Sequence, residues 1–149
     1  MRAKLLHDDA GQQTYALVFA TGDEAVEGLE SFARERGLSA AHFTGIGAFE
    51  DVVLGYFEWD PKRYKEIPIH EQVEVVALTG DVALKDGEPT VHAHVVVARA
   101  DGTASGGHLL SARVRPTLEV ILTESPAHLR KRHDDASGLA LIALDEPDH

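Results

Sequence analysis

The chain of 149 residues contains no cysteine, which excludes disulfide bonds and thiolate metal sites. Any metal would therefore be held by histidine and carboxylate side chains. The sequence also lacks an apolar run approaching the roughly 20 residues that a membrane-spanning helix needs, and its first residues show no signal-peptide pattern. We therefore expect a cytoplasmic protein that does not contact a membrane.

Positive charge is scarce, with 14 Lys and Arg against 25 Asp and Glu and a formal net charge of −11. Lys and Arg supply the contacts that hold nucleic-acid backbones, so this balance disfavours direct DNA binding. The one basic cluster, residues 130–133, is followed at once by two aspartates, a pattern typical of a solvated helix end or loop. The length and the apolar fraction of 44% indicate one globular domain over 1–149, with a polar tail at about 145–149.

The apolar pattern predicts one main helix, at about 23–36. Thr21 would be its N-cap, Glu24 would complete a capping box, and Gly37 would end it. About seven strands are predicted over 2–7, 13–20, 40–57, 71–84, 90–99, 109–123 and 139–144, with an interruption possible at Pro116. Residues 64–69 suit a strand or an extended loop, and 125–133 suit a short helix or loop. Most connections are too short for parallel crossovers, so we predict an α+β domain with a largely antiparallel sheet.

The longest predicted strand contains two glycines, Gly45 and Gly47. Two glycines so close together within a strand indicate a β-bulge or the close approach of another backbone. A contact with a small ligand is the alternative, but packing is the favoured explanation.

The pair His92 and His94 is the most informative feature of the sequence. Alternate side chains of a strand point to the same face, so both imidazoles share one side of the sheet. A third histidine follows fourteen residues after His94, in the segment Gly106-Gly107-His108. It lies on the next predicted strand and could complete a three-nitrogen site.

The turn between these strands decides whether the histidines meet. A two-residue Asp101-Gly102 turn would send His108 to the face of the sheet opposite to His94. A three-residue Ala100-Asp101-Gly102 loop with a left-handed Gly102 would instead place His94 directly opposite His108. Asp-Gly at the last two loop positions suits the second geometry, and we predict it.

The three-residue loop also places His92 opposite Leu110, so that all three imidazoles share one face. Neutral imidazole is a good ligand for zinc, iron, nickel or copper. Three protein ligands leave a fourth position for water or a substrate atom, as in catalytic zinc sites. The alternative is a polar face whose histidines make hydrogen bonds near a subunit contact.

The other chemical candidates have weaker patterns. Glu119 lies within an apolar strand and is a weak catalytic candidate. It could orient an imidazole or act as a general base, and it could equally face solvent. Four further histidines lack a partner pattern and are expected at the surface or in support of the site: His42, His70, His128 and His133.

Taken together, these motifs resemble a known family, the plant and prokaryote conserved (PPC) domain, also described as a domain of unknown function. The resemblance spans nearly the whole chain and is carried by residues 71–80, His92-Ala93-His94-Val95, Asp101-Gly102, Gly106-Gly107-His108-Leu109, Thr117-Leu118-Glu119-Val120 and Thr44-Gly45-Ile46-Gly47-Ala48. It implies an α+β fold, a homotrimer, and metal ligands at His92, His94 and His108. In plants the domain accompanies DNA-binding AT-hooks, and bacterial members inherit a DNA-binding label. This chain has no Arg-Gly-Arg-Pro core of an AT-hook.

Three functions follow as hypotheses. The first is a metal-binding homotrimer of undetermined cellular role, with zinc as the expected divalent metal and a small substrate at the three-histidine site. The alternative is a DNA-binding or transcription-associated protein without an AT-hook. The third is an interaction module without chemistry. The sequence specifies no reaction.

Overall fold

The computed structural model describes residues 1–144, which form nine strands and one helix. The predicted polar tail at 145–149 lies outside the described residues. The elements are β1 (Arg2–Asp9), β2 (Gln12–Ala20), α1 (Ala25–Arg36), β3 (Ala40–Glu58), β4 (Arg63–Ile69), β5 (Val73–Lys85), β6 (Glu88–Ala98), β7 (Ala104–Glu124), β8 (Arg130–His133) and β9 (Ala140–Ala143). All nine strands belong to one sheet. The predicted α+β class is therefore correct only coarsely, because strands dominate.

The two longest strands, β3 and β7, pair along most of their length and organise the sheet. β3 also pairs with β5, β5 with β6, and β6 with β7, so the four strands form a closed ring of pairings. These pairings are all antiparallel, as predicted, and the short contact between β5 and β8 is parallel. The ring brings β5, β6 and β7 side by side, which is where the histidines lie.

One face of the sheet carries the core. Along β7, for example, Leu118, Val120 and Leu122 are buried while Glu119 and Ile121 point outward. The helix α1 packs against β6 and β7 and buries one apolar stripe, namely Ala25, Leu29, Phe32 and Ala33. Each fully buried large apolar side chain contributes roughly 1.5–3 kcal/mol. The core uses the inner face, and the outer face remains available for a site.

The helix begins later than predicted, at Ala25, and its N-cap is Glu24 rather than Thr21. The Glu24 carboxylate accepts the backbone N–H of Glu27 at 2.6 Å and that of Ala112 at 2.7 Å. It thereby caps the helix and ties it to β7 at once. The Thr21 hydroxyl instead donates to the carbonyl of Pro116. The end of α1 at Gly37 agrees with the prediction.

The C-terminal part differs most from the prediction. Residues 130–133, expected as a helix end or loop, form the strand β8, which pairs with β5 and β9. The segment 64–69, predicted as a strand or an extended loop, belongs to the strand β4. β7 is longer than predicted and continues through Pro116.

Among the described residues, no helix is long and apolar enough to cross a membrane.

The prediction for the two glycines of β3 is confirmed. The β3–β5 register shifts between Gly45 and Gly47, which marks a bulge. A Cβ atom on Gly47 would overlap the carbonyl of Thr117 and lie 2.8 Å from the Cα of Leu118. Two backbones approach so closely here that only glycine fits.

Candidate metal centre

The loop between β6 and β7 has three residues, as predicted. The N–H of Arg99 donates to the carbonyl of Thr103 at 2.9 Å, which closes the hairpin. Gly102 has a φ of +82°, and its N–H donates to the Arg99 carbonyl. The Asp101 carboxylate accepts both the N–H and the hydroxyl of Thr103 at 2.9 and 2.7 Å. These local hydrogen bonds fix the register, and the two-residue alternative is wrong.

In this register His94 pairs directly with His108. The predicted pairing of His92 with Leu110 is wrong, because the β6–β7 ladder ends at the His94–His108 pair. Beyond it β7 pairs with β3, and Leu110 is the extra residue of a β-bulge in that ladder. His92 instead has its partner on β5, opposite Asp81.

The three imidazoles converge on the outer face of the sheet. The ring centroids of His92, His94 and His108 lie 5.2–5.5 Å apart. One nitrogen from each ring lies within 4.8 Å of the others, so a single metal ion could contact all three. His92 and His94 are exposed and His108 is partly buried. The cluster therefore opens toward solvent on one side.

The surroundings of His94 and His108 favour the neutral form of these two rings. Burial, then the neighbouring His92 and His94, then Lys131, lower the pKa of His108 to about 4. Burial and the adjacent His92 also lower the pKa of His94. Metals bind the neutral imidazole, so ligands of this kind are ready at neutral pH. In the described part of the chain the buried Nδ1 of His108 has no hydrogen-bond partner, a state that calls for an explanation such as an ion.

Three residues that the sequence did not single out complete the surroundings. Tyr64 of β4 stacks on His108 with centroids 4.5 Å apart, and burial raises the pKa of its hydroxyl. An Asp81 carboxylate oxygen lies 3.4 Å from Nδ1 of His92, and its other oxygen lies 2.8 Å from Nζ of Lys131. Burial raises the pKa of Asp81, but His92 and Lys131 outweigh it and hold the pKa below its usual range.

The Plants and Prokaryotes Conserved (PCC) domain, the family called PPC above, matches this chain over residues 7–126. The chain belongs to this family. The match includes all three histidines and the whole ring of strands from β3 to β7. It ends before β8, so Lys131 lies outside it.

Solved structures with the PCC fold cover nearly all of the chain. A protein from Archaeoglobus fulgidus, AF0104, called metal-containing, is 34% identical with a TM-score of 0.81, covering 87% of this chain and 92% of that one. A PPC protein from Pyrococcus horikoshii is 31% identical with a TM-score of 0.83, covering 98% and 97%. A Ralstonia eutropha JMP134 protein with a provisional DNA-binding designation is 29% identical with a TM-score of 0.84, covering 95% and 96%.

The PCC domain also resembles part of a larger protein. The bifunctional protein GlmU of a Synechococcus strain, JA-3-3Ab, is 29% identical over 125 residues, which are 83% of this chain and 19% of that protein. This chain thus spans about a fifth of the curated relatives that it matches.

The remaining candidates lie elsewhere in the PCC domain. Glu119 is exposed on β7, where it lines an apolar groove with Ile46, Val76 and Ile121, and it is not part of the histidine cluster. Four histidines also stay outside the cluster. His42 and His70 are exposed, His128 lies 2.7 Å from the Ser39 hydroxyl, and His133 lies 3.5 Å from Asp135.

Proposed function

We propose that this PCC-domain protein is a cytoplasmic homotrimer that binds a divalent transition metal at His92, His94 and His108. Zinc is the expected ion. The observation that carries the proposal is the convergence of one nitrogen from each ring within 4.8 Å. The His94–His108 register on which this depends is fixed by an ordered loop.

The chemistry of the donors supports zinc. Three imidazole nitrogens and no thiolate match the ligand set of catalytic zinc sites, in which the fourth position is open. A metal bound there would act as a Lewis acid toward a small molecule that takes the open position. The similar A. fulgidus protein, called metal-containing, agrees with this assignment.

Metal content of protein purified without an affinity tag tests the proposal. After loading with zinc and dialysis, mass spectrometry of the wild type should find about one zinc per chain. His94→Ala should lose it, because two remaining imidazoles form a weak site. His70→Ala, which removes an exposed histidine outside the cluster, is the matched control and should keep it. A wild-type protein without stoichiometric metal overturns the proposal.

The trimeric part of the proposal is supported by an apolar groove on the outer face. Ile46, Val76 and Ile121 line it, and their side chains are 63%, 56% and 49% exposed. Exposed apolar groups that gather in one groove indicate a protein contact. The resemblance to a trimeric family makes a second copy of this chain the occupant that we propose.

DNA association is the second candidate function. A cavity of about 450 Å³ between the β5–β6 turn and the β8–β9 hairpin is lined by the basic residues Lys85, Arg130, Arg132 and His133 and by the acidic Asp86. The designation of the R. eutropha protein points the same way. The net charge of −11 opposes it.

Fluorescence anisotropy with a labelled mixed-sequence duplex at low salt tests direct DNA binding, because electrostatic attraction is strongest there. Binding that weakens steeply with salt, and that Arg132→Glu reduces, would establish this second function. No binding at low salt would reject it. The metal measurement above is independent of either result.

A further inference from the structure

A carboxylate and a buried ammonium adjoin the histidine cluster. Asp81 on β5 lies directly across the ladder from His92, and one of its oxygens is 3.4 Å from Nδ1 of that ring. In metal sites, a carboxylate at the second nitrogen of an imidazole fixes the tautomer and orients the ring. Neither His94 nor His108 has an ion pair with a carboxylate in the described part of the chain.

The ammonium belongs to Lys131 of β8. Its side chain is only 5% exposed, and Nζ lies 2.8 Å from the second oxygen of Asp81. Lysine is rarely buried unless it is paired. The parallel pairing of β8 with β5, Lys85 opposite Lys131, delivers the lysine to this position. Asp81 thus has one oxygen toward the cation and the other toward His92.

We propose that Asp81 is a positioning residue for His92 and that Lys131 holds Asp81 in place. The Asp81 carboxylate accepts a hydrogen bond from Nδ1–H of His92, which leaves the lone pair on Nε2 for the metal. Lys131, with its Nζ 2.8 Å from the other oxygen, fixes the direction of the carboxylate. This inference rests on the metal site proposed above, and it assigns the role to two residues, one of them outside the matched family region.

A purely structural ion pair is the competing explanation, because the same contact joins β8 to β5. The two explanations differ in what removal of the pair does. A structural pair affects only the free energy of unfolding. A positioning pair also changes the tautomer of His92 and the affinity for metal.

The decisive variant is the double substitution Asp81→Ala/Lys131→Met. It leaves the net charge unchanged and no buried charge unpaired, so neither a change in overall charge nor misfolding around an orphaned ion explains its effect. Asp81→Asn/Lys131→Met keeps an acceptor oxygen beside His92, also without an orphaned ion, and serves as the conservative rescue. Asp51→Asn is the matched control, because it removes a different paired carboxylate, whose partner is Arg113.

Two measurements on the full chain test the pair. Competition with a zinc chelator should give a dissociation constant about 10- to 100-fold higher in the double variant, the usual loss when such a supporting group is removed. Asp81→Asn/Lys131→Met should lose less affinity than Asp81→Ala/Lys131→Met, and the control should lose none. In metal-free protein, long-range ¹⁵N–¹H correlation spectra should show the Nδ1–H tautomer of His92 in the wild type and a mixture in the double variant.

The outcomes separate this inference from the proposed function. A wild type that binds no zinc defeats both. A wild type and a double variant with equal zinc affinity and equal His92 tautomers defeat only the positioning role, and leave a structural ion pair. Weaker binding together with a changed tautomer establishes the positioning role, and a lower unfolding temperature does not alter that conclusion.

Discussion

The outer face of the sheet has two ends that share strands but differ in chemistry. At the polar end, Asp81 of β5 adjoins His92 and pairs with Lys131. At the apolar end, Val76 of the same strand lies exposed beside Ile121 in the groove. The polar side chains are held by contacts within the chain, whereas the apolar ones are left uncovered. One backbone framework therefore carries a preorganised cluster of histidines and, beside it, an uncovered apolar surface.

The largest effect is expected from a charge at the apolar end. Ile121→Asp should convert the proposed trimer into monomers, because a carboxylate within an apolar contact is desolvated without a cation and Glu119 in the same groove adds like charge. Zinc per chain should stay unchanged, since the polar end is built within one chain. Light scattering coupled to gel filtration gives the mass. Leu141→Asp, at a comparably exposed apolar residue on β9, is the control and should keep the mass of the wild-type assembly. A monomeric wild type would refute the proposed assembly.

The second-largest effect is expected in the pairing of β3 with β7, which supports both the polar and the apolar end of the outer face. Gly47→Ala should lower the free energy of unfolding by about 3 kcal/mol, the upper end of the range for overpacking, because its Cβ meets the backbone of β7. Urea denaturation measures it. Ser111→Ala, at an exposed position of β7 outside the groove, should change stability by less than about 0.5 kcal/mol. A small loss in Gly47→Ala would mean that β3 and β7 separate easily.

The polar end should also make the metal-free protein sensitive to acid. The pKa of His108 is about 4 in the folded chain, below the ordinary value of 6.5. As the pH falls below 6.5, His108 is protonated in the unfolded state but stays neutral in the folded state until about pH 4. The free energy of unfolding therefore decreases between these two pH values.

The comparison with His108→Gln isolates this contribution, because all carboxylates are common to both proteins. Denaturation in the presence of a chelator at pH 7 and pH 4.5 should show a loss on the order of 1 kcal/mol greater in the wild type, after allowance for solvent screening. Equal losses in the two proteins would contradict the assigned pKa.

The smallest effect is expected at the hairpin that joins two of the ligands. Gly102→Ala should cost about 1 kcal/mol, because alanine disfavours the left-handed conformation at φ +82°. Gly102→Asn should cost less, since asparagine tolerates this conformation. Zinc affinity should change by no more than a few-fold in either variant, because we expect the three-residue loop to persist. A switch to the two-residue loop would instead turn His108 away from His94. A large loss of affinity would show that the register depends on Gly102 alone.

The hairpin was predictable because its geometry depends on neighbours in sequence. Asp101 and Gly102 determine the loop, and the loop determines that His94 faces His108. The helix end at Gly37 was predictable for the same reason. The N-cap was not, because the Glu24 carboxylate also accepts a backbone N–H from Ala112, far along the chain.

The residues that surround the histidine cluster, Lys131 and Tyr64, could not be predicted from the sequence for a related reason. Lys131 lies in a basic run that resembles a solvated segment, yet its ammonium is buried against Asp81, fifty residues earlier. Tyr64 stacks on His108 only because β3 brings β4 beside β7. Such contacts depend on the order of strands in the sheet, which alternation of apolar residues does not encode.

The position of the histidines at the last pair of the β6–β7 ladder has a consequence for folding. His94 and His108 are separated by only fourteen residues, so closing their loop costs little chain entropy, and hairpins of this kind form in about 1–10 μs. The pairing of β3 with β7 joins far more distant residues, such as His42 and Thr123, and is expected to form later. We therefore expect pulse-labelling hydrogen exchange to protect the β6–β7 hairpin first. Metal present during folding would then meet its ligands before the rest of the sheet has closed.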